Sequence, residues 1–296
     1  MKKALVIYNP VAGWKKITDI PKNIMISLAK NKYQYEWFET SPKGIRGIDR
    51  VLKNRYDRII VAGGDGTVSH VAAYLIKHRK KTPIGIVPLG TANLVAGSLN
   101  IPLIDVRRAV NLSIREKPKP FDVLLVNKRH VSLVGVGQGY DTIFIKGATR
   151  PLKRKYGFIA YIISFLKTFF FYRSKKYTLV IDNKKYEVYA KLVLALNSLS
   201  LPYTLIGKHI SPQDGLVNIA VFNPRSIYGL FIMLIQFFLR LPRAKKPKFK
   251  DFTAKKITIQ QKGTNKFQID GEVMKGKKVE VKILPKALNI VFKKKF

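Results

Sequence analysis

The sequence predicts an α/β nucleotide-binding domain followed by a strand-rich second domain. Within the first hundred residues the order strand, glycine-bearing turn, helix occurs three times. Beyond about residue 119 the pattern changes to successive short strands. Hydrophobic residues make up 47% of 296 positions, enough to bury two cores.

Ala4 to Tyr8 reads as the first strand and ends in Asn9-Pro10-Val11-Ala12-Gly13. Arg58 to Ala62 runs into Gly63-Gly64-Asp65-Gly66-Thr67, and Pro83 to Val87 ends in Pro88-Leu89-Gly90-Thr91-Ala92-Asn93. Helical spacing at Ile24 to Lys30, Ile48 to Asn54 and Val68 to His78 supplies the crossovers. All three turns follow carboxyl ends of strands, which share one edge of an open parallel sheet, so the loops are expected to converge on one nucleotide.

The middle turn reads as a phosphate cradle. Glycines let backbone N–H groups approach an anion, and Thr67 is expected to cap the helix from Val68 to Lys77, whose positive dipole end faces that anion. Asp65 repels a phosphate, so its natural role is to hold a divalent cation or water beside one.

After residue 119 the expected strands are Phe121 to Asn127, His130 to Val136, Tyr177 to Ile181, Tyr186 to Leu196, Leu216 to Phe222 and Lys256 to Gln261, with a hairpin turn at Asp182-Asn183-Lys184. Phe267 to Ile269 and Lys277 to Ile283 flank Asp270-Gly271-Glu272, which places two acids at a turn. Such a turn projects a carboxylate into a cleft, and Glu272 or Asp270 would suit the deprotonation of an alcohol.

Charge sets a further demand. Lys and Arg number 56 against 17 Asp and Glu, a net of +39, far beyond what solubility requires. The partner implied is anionic, and charge alone does not choose between nucleic acid, an acidic bilayer and a polyanionic substrate. Two uncharged apolar runs, Tyr156 to Leu166 and Ser226 to Leu239, end in basic residues and fall short of the roughly 18 residues of a spanning helix. They suit helices packed on a core or lying in a membrane interface. There is no cysteine, which excludes disulfides and thiolate metal sites. The N-terminus lacks the long apolar run of a secretion signal, giving a cytoplasmic expectation with attachment to the inner membrane face.

The order Asn-Pro-x-x-Gly, Gly-Gly-Asp-Gly-Thr, Pro-x-Gly-Thr-x-Asn resembles the diacylglycerol kinase catalytic-domain family, which includes bacterial lipid kinases and sphingosine kinases. The likeness continues through Gly135 to Asp141, Leu152 to Tyr161, Asp214-Gly215-Leu216, Asp270-Gly271-Glu272 and Leu284 to Leu288. It implies domains at residues 1–119 and 120–286, the second a β-sandwich, an active site in the cleft between them, and a last strand, Ala287 to Phe292, returning to the first domain.

The resemblance further implies an ATP-dependent, magnesium-dependent lipid kinase. Asn9, Pro10, Gly13, Thr40, Gly63, Gly64, Asp65, Gly66, Thr67, Gly90, Thr91 and Asn93 match nucleotide-binding positions. Glu272 matches the proton acceptor, with Asp270 beside it and Asp65 in the catalytic set. Asp65 and Asp122 match acids around the catalytic magnesium, and Ser211, Asp214 and the carbonyl of Leu216 match a second, structural magnesium site. A membrane lipid and an anionic membrane surface are the expected partners, a homodimer is left open, and nucleic acid is disfavoured.

The chain departs from the family at two places. Ser69-His70 replaces an Asn-Glu pair, and Leu94 stands where bacterial diacylglycerol kinases commonly carry Asp. Two other readings are a nicotinamide-dinucleotide kinase, whose usual Asn-Glu pair is here Asn197-Ser198, and a catalytically weak basic protein binding membranes or nucleic acid.

Overall fold

A computed structural model describes residues 2–12, 19–41, 47–140, 142, 172–198, 210–223 and 249–293. Gly13, Asp141, the 152–161 block and both apolar runs lie outside these described residues. Among the described residues no helix is long and apolar enough to cross a membrane, which says nothing about crossing by strands.

The first half alternates as its periodicity predicts: β1 (Lys2–Tyr8), α1 (Ile20–Lys30), β2 (Tyr33–Glu39), α2 (Ile48–Leu52), β3 (Arg58–Gly63), α3 (Asp65–Lys77), β4 (Ile84–Pro88), α4 (Leu94–Ser98) and α5 (Val106–Arg115). The four strands pair in parallel in the order β2-β1-β3-β4. Alternate residues feed opposite faces. Leu5, Ile7, Ile59 and Val61 pack with Val71 and Leu75 of α3, while Ala4, Val6, Ile60 and Ala62 pack with Ile24 and Leu28 of α1 and Val110 of α5. Each fully buried aliphatic side chain contributes about 1.5–3 kcal/mol. Arg58 is buried at the start of β3, where its guanidinium donates to the carbonyls of Ser113, Ile114 and Glu116 and so satisfies the end of α5. Burial pushes its pKa down.

The second half contains β5 (Pro118–Val126), β6 (His130–Ser132), β7 (Gly135–Gly139), β8 (Lys175–Ile181), β9 (Lys184–Ala190), β10 (Leu192–Leu196), β11 (Val217–Phe222), β12 (Phe249–Ala254), β13 (Lys256–Gln261), β14 (Lys266–Ile269), β15 (Glu272–Lys275) and β16 (Lys278–Val291). One antiparallel sheet runs β12-β11-β10-β7-β14-β15. It faces β13, β8 and the first half of β16 across a core that includes Leu179, Val193, Ile219, Ile257, Ile259 and Val281. The predicted hairpin is present: Asp182 and Asn183 join β8 to β9 with φ of 41° and 72°, the left-handed pair of a type I′ turn.

Three boundaries differ from the expected ones. The strand expected over His130 to Val136 is two strands in different sheets, divided at Leu133-Val134, and Tyr186 to Leu196 is likewise divided at Lys191. An alternating apolar pattern survives a change of sheet, so periodicity alone does not show it. The returning strand is the second half of β16. Its first half pairs with β13, the register shifts between Leu284 and Leu288, and Ile290 then pairs in parallel with Ile84 of β4. A single strand therefore joins the parallel sheet to the sandwich.

Candidate active site

The parallel strands end level with one another. Tyr8 sits opposite Glu39 and Ala62, and Gly63 opposite Pro88. The strand order makes the chain diverge between β1 and β3, the point where open α/β sheets bind ligands. The loops are tied by their backbones: Asn9 N donates to Ala62 O at 2.9 Å, Leu89 N to Gly63 O at 3.0 Å and Thr40 N to Tyr8 O at 2.9 Å. Pro10 is exposed beyond Asn9, whose Oδ1 accepts from Val11 N at 3.2 Å. Thr40 is buried, and its hydroxyl has no hydrogen-bond partner among the described residues, an orphaned polar group at the loop edge that a bound ligand would satisfy.

Two glycines set the approach of the second and third loops. A Cβ on Gly90 would stand 2.6 Å from the Cα of Gly64 and 2.9 Å from Asn93 Oδ1. Asn93, at φ 48°, accepts from Gly90 N at 2.8 Å and donates to Gly90 O at 2.7 Å. Asn93 therefore shapes the loop, and Thr91 is left exposed at its tip. Because backbone blocks the added methyl, Gly90→Ala is expected to destabilise the fold by about 1–3 kcal/mol and to raise KM for ATP as the loops part. Thermal melting and nucleotide kinetics check both.

The helix begins two residues earlier than its expected cap. Gly64 occupies the N-cap position with extended backbone, Asp65 opens α3, and Thr67 lies inside the first turn, so Thr67 is not the cap. Its side chain packs over Gly63 instead, where a Cβ would stand 3.1 Å from Thr67 Oγ1. With no side-chain cap, the first N–H groups of α3 keep their capacity to bind an anion.

Asp65 and Glu272 face the same cavity, of about 340 Å³, between α3 and the β14–β15 hairpin. Glu272 Oε1 lies 3.8 Å from where a Cβ on Gly66 would stand. Asp65 Oδ1 accepts from Val95 N at 3.1 Å, which fixes the carboxylate at the start of α4. Glu272 is exposed and presents its carboxylate to the cavity with no side-chain partner among the described residues.

Asp270 differs sharply from its neighbour. Its carboxylate accepts from Ser132 Oγ at 2.7 Å and from the backbone N–H groups of Leu133, Val134 and Gly135 at 2.8, 3.0 and 2.9 Å. Burial pushes its pKa up, and these four donors oppose the shift. Asp270 lines the cavity, but its carboxylate is engaged by these four donors: it pins the segment that crosses from β6 to β7, and so positions the hairpin that carries Glu272. Asp270→Asn, even with its oxygen kept in the place of Oδ1, would turn an amide NH2 toward the N–H of Leu133. A loss of about 3 kcal/mol or more is expected in denaturant unfolding.

Asp122 is likewise spent on backbone. Its oxygens accept from Gly215 N and Lys286 N, each at 2.7 Å, and it does not line the cavity shared by Asp65 and Glu272. Its place is the junction where Ser211 to Leu216 meets the bulge of β16. There Asp214 Oδ1 accepts from Leu216 N at 2.9 Å, and burial, with Asp122 adding repulsion, pushes the Asp214 carboxyl up. A hard cation held by Asp214, Ser211 and the Leu216 carbonyl would offset that repulsion, so the oxygen donors fit the ion. Among the described residues no group of three or more His, Cys, Asp and Glu stands ready for a metal. Of the two acids matched to a catalytic ion, Asp65 lines the cavity and Asp122 does not; magnesium commonly takes one or two carboxylates with phosphate oxygens and water, so one such acid fits it.

The two departures also line or border this region. His70 faces the cavity, and its Nε2 lies 3.0 Å from Asp49 Oδ1 of α2. Leu94 Cδ1 lies 3.5 Å from the Cβ position of Gly271, putting an alkyl group beside the acidic turn. Asn197 is buried, with its amide donating to the carbonyls of Asp122 and Leu133, while the Ser198 hydroxyl donates to the Leu133 carbonyl and lies 3.0 Å from Ser98 Oγ. Ser198 thus links the two domains through Ser98, while Asn197 ties β5 to the segment between β6 and β7. Sequence reading missed Arg129, His130 and Met274, which line the cavity. Asn127 and Lys128 form a left-handed turn there, and its basic tip looks in sequence like any solvated surface turn.

Comparison with known proteins agrees with this fold. The family model of the diacylglycerol kinase catalytic domain matches residues 3–126, and that of the YegS C-terminal NAD kinase beta sandwich-like domain matches residues 134–292. A diacylglycerol kinase of Staphylococcus carnosus is 29% identical over 164 residues, which span 55% of this chain and 53% of that protein. A "Probable lipid kinase YegS-like" of Klebsiella pneumoniae is 27% identical over 249 residues, 82% of this chain and 80% of its own length. The crystal structure of a diacylglycerol kinase from Bacillus anthracis superposes with a TM-score of 0.79 at 23% identity, covering 99% of this chain and 97% of that one, a likeness of fold. With both parts of its length matched and its glycine loops gathered at one sheet edge, the chain belongs to the diacylglycerol kinase catalytic-domain family of lipid kinases.

Proposed function

We propose that this protein transfers the γ-phosphate of ATP to a hydroxyl of a membrane lipid or long-chain alcohol. The observation that carries the reading is the shared cavity: Asp65 and Glu272 face it from different domains, beside the glycine loops. The loops after β1, β3 and β4, with the N-terminus of α3, cradle the phosphates. Thr40 supplies a hydroxyl that a nucleotide would partner. The acceptor enters the cavity, where Glu272 removes the hydroxyl proton as its oxygen bonds to the γ-phosphorus. The bond from that phosphorus to the bridging oxygen breaks, and ADP leaves. Magnesium, when bound, would neutralise phosphate charge, and Asp65 is the residue placed to hold it.

Peripheral attachment to an anionic bilayer belongs to the same reading, supported by the net charge of +39. The nicotinamide-dinucleotide kinase reading gains nothing from Asn197 and Ser198, whose side chains are turned to buried domain contacts. Incubation with labelled ATP, magnesium, a nicotinamide dinucleotide and a panel of diacylglycerol, phosphatidylglycerol and sphingoid bases is expected to label at least one extracted lipid. Label confined to a dinucleotide, or to nothing, would overturn the proposal.

A further inference from the structure

The wall of the cavity opposite α3 carries one guanidinium. Arg129, at the tip joining β5 to β6, and His130, which opens β6, line it with the acids Asp270 and Glu272, while Asp65 and His70 line it from α3. Arg129 is exposed, and neither its guanidinium nor the His130 ring has a side-chain hydrogen bond or ion pair among the described residues. The lysines near the opposite edge of the sheet behave differently. Lys80 Nζ donates to the carbonyls of Leu52 and Lys53 at 2.7 Å each, and Lys81 Nζ donates to those of Lys286 and Ala287 at 2.6 and 3.0 Å. Among the described residues Arg129 is thus a cation without a side-chain partner, set in the same cavity as the acid that faces the acceptor hydroxyl. The lining also has an apolar part, with Ala73, Ile269 and Met274.

A neutral lipid alcohol would fill only the apolar part of this lining and leave an unpaired guanidinium at the reacting end. An acceptor bearing phosphate close to its hydroxyl matches both parts, since a planar guanidinium binds phosphate oxygens in pairs. It also needs such a cation, because without one its charge would repel the incoming γ-phosphate and the Glu272 carboxylate.

We infer that Arg129, assisted by His130, is a specificity site for an anionic group on the acceptor, so that the preferred substrate is a phosphate-bearing amphiphilic alcohol rather than a neutral one. The inference rests on the lipid kinase reading and names the acceptor class for the same cavity. The step is the ordinary transfer: the acceptor oxygen gains the γ-phosphoryl group, its proton passes to Glu272, ADP departs, and the acceptor's own phosphate stays intact.

The test uses the full chain with labelled ATP and magnesium and three acceptors: 1-acylglycerol 3-phosphate and 1-acylglycerol, each in neutral detergent micelles, and soluble glycerol 3-phosphate. Expected is a kcat/KM at least about tenfold higher for the phosphate-bearing lipid than for its neutral partner. Arg129→Gln is expected to lower that ratio about tenfold or more by raising acceptor KM, with KM for ATP unchanged, and Arg129→Lys to recover part of it. Soluble glycerol 3-phosphate separates headgroup recognition from lipid recognition: turnover well below that of the lipid is expected, because the apolar lining goes unused. Equal turnover of the two micellar acceptors with no effect of Arg129→Gln would overturn the inference while leaving the kinase standing. A rise in KM for ATP in that variant would reassign Arg129 to the nucleotide. Labelling of none of the three acceptors would overturn this inference, and the kinase reading falls with it only if no lipid of the wider panel is labelled either.

Discussion

With glutamine at position 272 the protein is expected to keep its fold and its affinity for ATP while kcat falls by about 10²–10⁴, the usual contribution of a positioned general base. The fold should survive because the Glu272 carboxylate is exposed and has no side-chain partner among the described residues, so an amide of the same shape disturbs no internal contact. Catalysis should not survive, because an amide cannot take a proton from the acceptor. Full steady-state kinetics with ATP and the best acceptor give the answer. A drop confined to kcat marks the loss of a group needed only as the transition state forms. A rise in KM for ATP with kcat intact would make Glu272 a loop residue and remove the base from the mechanism. The contrast with Asp270→Asn sharpens the interpretation. Asp270 lies two residues away, and all four donors it accepts come from Ser132 to Gly135. Its loss should appear as lower stability, whereas that of Glu272 should appear as slower turnover.

These neighbouring acids also show where the sequence was legible. Strand, glycine and helix periodicity disclosed the parallel sheet and three of its loops, because glycine permits backbone contacts such as Gly64 against Gly90 and leaves a visible signature. The pairing of Asp65 with Glu272 across the cavity was also accessible, through motif order. The different tasks of Asp270 and Glu272 were not. Both stand in one turn, and only the path of the chain from β6 to β7, contributed from more than a hundred residues away, decides which carboxylate is buried against backbone. The same holds for Asp122, whose partners at Gly215 and Lys286 come from two distant segments. The early start of α3 escaped because Thr67 resembles a cap, whereas extended backbone at Gly64 lets the helix begin with no side-chain oxygen at all. Arg129 escaped because an arginine at a hairpin tip carries no periodic signal, and its meaning lies in what stands across the cleft.

Asp65→Asn isolates charge from shape at the other side of the cavity. Asparagine keeps an oxygen to accept from Val95 N, now 3.1 Å from Asp65 Oδ1, so the junction of α3 with α4 should hold and the melting temperature should change little. What disappears is a full negative charge at the start of α3, where a carboxylate is favoured by the helix dipole and where magnesium would be held. Because a metal ion supplies several kcal/mol of charge stabilisation in phosphoryl transfer, turnover is expected to fall about a thousandfold or more. Leu94 puts an alkyl group, not a carboxylate, beside the acidic turn, so the site is expected to depend on Asp65. The magnesium concentration giving half-maximal activity should therefore rise steeply in the variant, and added magnesium should restore only part of the rate. Isothermal titration of the nucleotide with and without magnesium supplies the decisive comparison: the wild-type chain should bind ATP more tightly with the ion, and the variant should lose that difference. Unchanged activity and an unchanged magnesium requirement would remove Asp65 from the reaction and leave it only the task of anchoring α4.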